Sequence, residues 1–297
     1  MDNIKLFLLF MIPGTFFAGL LDVIIRYILR EGKINERLLL AFNFLLSGLL
    51  ILILFLFFLD FPEIKQGFWL AFFATSVLGL FSHWVYYKAF SQEDASVISP
   101  IRLLTPPFVL ITGFFILGER ASPWGVVGVL TTIAGLWLLV NPENKKLNLT
   151  NLKEIFKHKG IILGIIGALL FALSFPFDKK AVTTSSALFF SAIYLVLVGL
   201  ASLIIYIVQK KDFSVHRKLK ANWQIILLMV VVNIAAFFLT AQALNYTLAV
   251  YAASVKRLWS FWAVILSGSL LAEKDIGKKL VATSIMLAGI VVTSLLG

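Results

Sequence analysis

Residues Ala89 to Val140 read AFSQEDASVISPIRLLTPPFVLITGFFILGERASPWGVVGVLTTIAGLWLLV, and residues Ala243 to Ser294 read ALNYTLAVYAASVKRLWSFWAVILSGSLLAEKDIGKKLVATSIMLAGIVVTS. Displaced by 154 positions, the two stretches coincide: Ala95 falls on Ala249, Arg102 on Lys256 and Leu104 on Leu258. Glu119-Arg120 falls on Glu273-Lys274, and Ala134-Gly135 on Ala288-Gly289. Near the start of each half, Asp22 falls on Asp178 in a slightly longer register. Self-similarity at a fixed spacing is the mark of a duplicated architecture.

The repeat is built from apolar stretches. The 297 residues are 60% hydrophobic and only 14% charged, with mean hydropathy +0.97. A soluble domain carries about 25% charged residues. A membrane span needs about 20 mostly apolar residues, and the chain offers ten such stretches: Leu6–Leu29, Leu38–Leu59, Phe68–Phe90, Ala95–Leu117, Pro123–Val140, Ile161–Lys180, Ala187–Val208, Trp223–Leu244, Ala249–Leu271 and Ile276–Leu296. The first lacks a small-residue cleavage site and is too long for a signal-peptide core, so it reads as a span. The polar breaks include Glu31-Gly32-Lys33, Gln92-Glu93-Asp94, Gly118-Glu119-Arg120, Asn141-Pro142-Glu143 and Glu273-Lys274-Asp275. The longest, at mid-chain, divides residues 1–141 from 160–297, with 142–159 as a central loop. Five spans per half is an odd number, so the halves insert with opposite orientation. The expected fold is an all-α integral membrane protein of ten transmembrane helices in two inverted five-helix repeats, a plan that puts transport sites at the repeat interface.

Cations orient the chain. Loops after odd-numbered spans hold Arg30, Lys33, Arg37, Lys145, Lys146, Lys153, Lys157, Lys159, Lys210, Lys211, Arg217, Lys218, Lys220, Lys274, Lys278 and Lys279. The N-terminus and the even loops hold only Lys5, Lys65, Arg120, Lys179 and Lys180. Positive loops stay cytoplasmic. Both termini are therefore predicted extracytoplasmic, in a multi-pass protein of the cell membrane (the inner membrane if Gram-negative). The net charge of +11 belongs to these loops, not to a nucleic-acid surface. With no cysteine there is no thiol chemistry. His83, His158 and His216 lie too far apart to form a ligand-spaced cluster. No phosphate-binding G-x-x-x-x-G-K-[ST] loop and no H-E-x-x-H motif occurs. Neither an enzyme nor a cofactor is expected.

Several residues resemble those of a known family. They are Ala95 and Pro100 after the third span, then Pro106, Gly118-Glu119-Arg120, and the glycines Gly128 and Gly135 of the fifth span. The second half keeps Glu273 and Gly289 and carries Ser254-Val255-Lys256-Arg257 where the first has the Pro100 region. In these features the chain resembles the drug/metabolite transporter superfamily in its ten-span, two-repeat EamA form. The resemblance implies transport of a small metabolite. It leaves the substrate open, because relatives carry amino acids, drugs, sugars and nucleotide sugars. Lys256-Arg257 is also similar in position to an adjacent Lys-Arg pair with which sugar-phosphate translocators of that superfamily hold phosphate.

Lys256 and Arg257 are the only charges between Val250 and Leu271. Each costs roughly 3 kcal/mol at bilayer depth, so the pair must face protein, water or a ligand. About 10 Å inside the ninth span at helical rise, it reads as a site for a phosphate, carboxylate or lipid headgroup, or as a pair neutralised by an internal carboxylate. Arg102, its counterpart, reads as a second cation on the path or a partner for Glu93 or Asp94. Trp259, His83 and Trp84 are candidate cavity walls. Asp22 and Arg26, four apart, can pair on one helix face. Asp22 or Asp178 could carry a coupling proton, and Asp178 facing the cavity could instead neutralise Lys256. Glu119 and Glu273 read as anchors or gate elements. The leading function is secondary transport of a small-molecule substrate within the lipid bilayer. An exporter of amino acids or amphipathic drugs is the alternative, and a protein binding or handling lipid phosphate headgroups is the alternative of another class. A homodimer is compatible with either.

Overall fold

A computed structural model describes residues 2–32, 34–58, 60–109, 122–140, 158–210, 215–243, 246 and 255–295. In chain order the helices are α1 (Asp2–Arg30), α2 (Glu36–Phe58), α3 (Phe68–Gln92), α4 (Ala95–Ile101), α5 (Pro123–Val140), α6 (Lys159–Thr183), α7 (Ala187–Lys210), α8 (Val215–Ala221), α9 (Trp223–Ala243), α10 (Trp259–Leu271) and α11 (Ile276–Leu295). A 3-10 turn, Arg102–Leu104, continues α4. Seven helices are long and apolar enough to cross a membrane, and Ala95–Val109 and Trp259–Leu271 are shorter apolar helices. The last turns of the expected fourth span, residues 110–117, lie outside the described residues, as do 249–254 of the ninth, Glu119 and most of the central loop. The short helix α8 falls in a basic loop where the sequence reading expected none.

The helices pack by a twofold rule. Counterpart helices touch: α2 on α7, α5 on α11, and α4 on α10. The larger remaining contacts include matched pairs, with α3 on α6 answered by α9 on α1, and α6 on α4 by α1 on α10. The α5–α11 contact shows why. An added Cβ at Gly135 would lie 2.8 Å from Met286 N and 2.9 Å from Ala282 O. One at Gly289 would lie 2.6 Å from Gly128 O and 2.7 Å from Thr132 N. Real Cβ atoms do not come that close, so both glycines are needed for the backbones to meet, as small residues are in membrane helix pairs. The two sets of partners are themselves counterparts in the repeat.

The outer surface is apolar. Leu70, Phe57, Phe58, Ile204 and Val208 are all well exposed, as side chains facing acyl chains should be. The main core joins α1, α2, α3, α4, α6 and α9 around Leu38–Leu40, Phe90 and Ile98. Polar side chains inside this shell, Asp22, Asn43, Ser99 and Thr132 among them, need partners within the protein, because lipid provides none.

Candidate functional site

The repeat interface is crossed by two interrupted helices. In the first half, α4 gives way to the 3-10 turn at Arg102. Pro106 and Pro107 explain the interruption: without N–H groups they cannot bond the carbonyls four residues back. Thr105 Oγ1 donates instead to Arg102 O at 2.9 Å. In the second half, Val255 and Lys256 are helical, Arg257 and Leu258 form a turn, and α10 begins at Trp259. Ser260 Oγ donates to Arg257 O at 2.9 Å, the same repair one residue further on. The Lys-Arg pair thus sits at a helix break, not within the continuous ninth span that the sequence suggested.

Arg102 is satisfied. Its Nη1 lies 3.0 Å from Asp22 Oδ1, and Ser99 Oγ donates to Asp22 Oδ2 at 2.7 Å. Asp22 is 3% exposed, so its charge depends on these two partners. The guanidinium lies 4.4 Å from the Trp259 ring centroid and 5.1 Å from that of Tyr86, within cation–π range. Trp259, from the opposite repeat, therefore faces the first repeat's cation.

Lys256 and Arg257 are not satisfied. Neither makes an ion pair with a carboxylate among the described residues. Arg257 Nε is buried with no acceptor, as is Trp262 Nε1. Lys256 is an exposed residue beside the helix break. Arg102, Lys256 and Arg257 lie within mutual electrostatic reach. Among the described residues, three cations thus share one region with a single carboxylate, Asp22.

The repeat register explains the difference. Gly14 packs on Thr240 and Gly167 packs on Tyr86, and Thr240 and Tyr86 are counterparts. Gly14 therefore falls on Gly167. The same register lays Asp22 on Phe175, so the alignment of Asp22 with Asp178 is corrected. Asp178 sits one turn beyond, where it accepts hydrogen bonds from Thr75 Oγ1 and from Ser174 Oγ. It meets hydroxyls and leaves Lys256 without a carboxylate.

The pairing of Asp22 with Arg26 is also replaced. Arg26 Nη1 donates to Phe90 O at 2.8 Å, and Nη2 lies 3.5 Å from Asp94 Oδ1. The reason is burial: Asp22 is already engaged by Ser99 and Arg102, while Arg26 lies one turn nearer the α3–α4 corner. His83 packs against Phe44 and Phe171, with centroids 4.5 and 4.8 Å away. Trp84, its neighbour, points elsewhere, under Arg37. The structure thus brings together Asp22, Arg102, Trp259, Lys256 and Arg257, and separates Arg26, Asp178 and Trp84 from them.

Sequence reasoning missed Ser99 and Tyr86; it read Glu273 as an anchor or gate element but not the partners that Glu273 and Lys279 find at one end of the interface. Glu273 accepts from Ala95 N at 2.9 Å and Ser96 N at 3.0 Å, so it caps α4. Lys279 Nζ reaches Asp94 at 3.2 Å and Ser96 Oγ at 2.7 Å. The Asp-Ala-Ser start of α4 was the available signal, since its first N–H groups need acceptors.

Comparison with known proteins completes the description. A family profile described as the EamA-like transporter family matches residues 5–141 and 158–295. A solved structure, described only as the crystal structure of a protein, superposes with a TM-score of 0.60 at 16% identity, covering 97% of this chain and 96% of that one. At that identity the likeness concerns the fold. No curated protein matches the chain.

Proposed function

The chain belongs to the EamA-like transporter family, a multi-pass membrane transporter of the drug/metabolite type, and from that premise we propose that it carries a small anionic metabolite by alternating access. The observation that carries this reading is the unequal treatment of the central cations. Arg102 has Asp22 and Ser99, whereas Lys256 and Arg257 have no carboxylate among the described residues. An unpaired cation deep in a membrane protein is costly, and a phosphate or carboxylate on the substrate offsets that cost. Arg257 can present two donors to such a group and Lys256 a point charge. Trp259 and Tyr86 hold Arg102 beside them.

In this reading the two interrupted helices flank the substrate, and the halves rock about the α5–α11 and α2–α7 contacts. The lock of Glu273, Ala95, Ser96, Asp94 and Lys279 closes one end. The basic loops assign that end to the cytoplasm and both termini to the outside. A reporter fused after Gly297 tests this assignment: activity on the extracytoplasmic side is expected, and a cytoplasmic signal overturns it. Asp178, held by hydroxyls alone, is the acid assigned to a coupling proton. If so, transport by Asp178→Asn no longer responds to an imposed pH gradient.

The test of the substrate class is thermal stabilisation of the purified protein in detergent. The panel comprises phosphorylated and carboxylated metabolites, amino acids and lipophilic cations. A bound ligand raises the melting temperature by mass action. We expect a shift with anions that disappears in Lys256→Ala/Arg257→Ala. A shift with neutral or cationic ligands that survives the double substitution would overturn the reading.

A further inference from the structure

A second site lies on the flank formed by α2, α3 and α7, away from the α4–α10 crossing. A cavity of about 280 Å³ opens there. Leu80 and Phe81 of α3 and Ile205 of α7 form its apolar wall, and Arg37, Trp84 and Gln209 gather at one end. That end coincides with the start of α2 at Glu36, the close of α3 at Gln92 and the close of α7 at Lys210. It is therefore near one membrane face, while the apolar wall runs toward the bilayer interior. Phe81, Val77, Ile204 and Val208 around it are exposed, so the cavity opens toward acyl chains.

The polar end is built for an anion. Arg37 stands 4.3 Å from the Trp84 ring centroid, and Lys88 Nζ 5.6 Å from it. Trp84 and Lys88 are one turn apart on α3 and share a face. Ser202 Oγ donates to Arg37 O at 2.8 Å, pinning the start of α2 to α7. Neither Arg37 nor Lys88 has a carboxylate partner among the described residues. Trp84 Nε1 is buried without an acceptor. Arg37 and Trp84 thus line the polar end of an apolar groove, and Lys88 stands beside the same Trp84 ring.

We propose that this groove binds an anionic phospholipid, its phosphate between Arg37 and Lys88 and an acyl chain along Leu80, Phe81 and Ile205. A soluble anion would satisfy the cations and leave the apolar wall unused. A zwitterionic lipid would bring its own cation against two others. Basic pockets between spans on the cytoplasmic side suit anionic headgroups, and the loop charges assign this end to that side. The site is independent of the central cations and of the transported substrate.

Native mass spectrometry of the full chain, released from detergent after incubation with equal phosphatidylglycerol and phosphatidylcholine, tests the proposal. We expect phosphatidylglycerol to be retained preferentially, and its occupancy to fall about tenfold in Arg37→Gln/Lys88→Gln. Should that variant fail to fold, Ile205→Trp blocks the groove without touching a charge, and the same loss is expected. Equal retention of the two lipids, or occupancy unchanged by either variant, overturns the proposal. Displacement of the lipid by equimolar sn-glycerol 3-phosphate also overturns it, since the site would then hold a soluble anion.

Discussion

The two halves of this molecule share a backbone plan and differ in one chemical detail. In the first, the cation at the helix break is answered by Asp22 and Ser99. In the second, the counterpart positions are Phe175 and Ala253, and Lys256 and Arg257 are left without a carboxylate among the described residues. Duplication preserved what packing requires, the glycines and the helix interruptions. It let go of what neutralises charge. The lesson is that a twofold scaffold can hold an ion pair on one side of its axis and, among the described residues, cations without a carboxylate on the other.

The largest effect should come from breaking the satisfied half. Asp22→Ala leaves Arg102 buried without its partner, and losing one member of a buried pair costs about 3–5 kcal/mol. The melting temperature should fall accordingly, and Asp22→Asn/Arg102→Gln should recover much of it. A melt unchanged by Asp22→Ala would mean that the pair contributes nothing and the halves differ less than drawn.

Next comes the packing that the halves share. Gly135→Ala and Gly289→Ala each push a Cβ into backbone of the facing helix, and overpacking costs about 1–3 kcal/mol. The two losses of stability should be similar, because the partners are counterparts. Unequal losses would break the twofold rule at α5–α11.

A smaller change makes the second half imitate the first. Phe175→Asp installs a carboxylate at the repeat position matching Asp22. We expect anion-induced stabilisation to require about tenfold more ligand, about 1.4 kcal/mol. An unchanged response would show that the register does not carry the asymmetry. The smallest effect concerns the lock. Asp94 is 40% exposed in its pair with Lys279, and such pairs contribute at most about 1 kcal/mol. Lys279→Gln should leave the melt nearly unaltered while speeding reaction of a polar thiol reagent with Val255→Cys in this cysteine-free chain.

Much of the fold was legible in residues such as Gly135 and Gly289, because a repeat that buries the same backbone contact twice keeps the same small residue twice. The apolar stretches were legible because lipid tolerates few charges. The helix break in the first half was foreshadowed by Pro100, Pro106 and Pro107; in the second, no proline marks Arg257-Leu258, and the interruption emerges only in three dimensions. Trp259 was found as a candidate from its place one turn past the Lys-Arg pair, yet its partner is Arg102, from the other repeat.

By itself, then, the sequence determined that the chain is a duplicated bundle of membrane helices with three cations at matching depths, since hydropathy and repetition are properties of residues in order. Only the tertiary structure decided which of those cations is neutralised. Asp22 could have met Arg26 four residues away and instead meets Arg102, because charge pairing in a water-poor interior follows the packing of α1 against α4 and the supply of hydrogen bonds from Ser99, neither of which is a property of neighbouring residues along the chain.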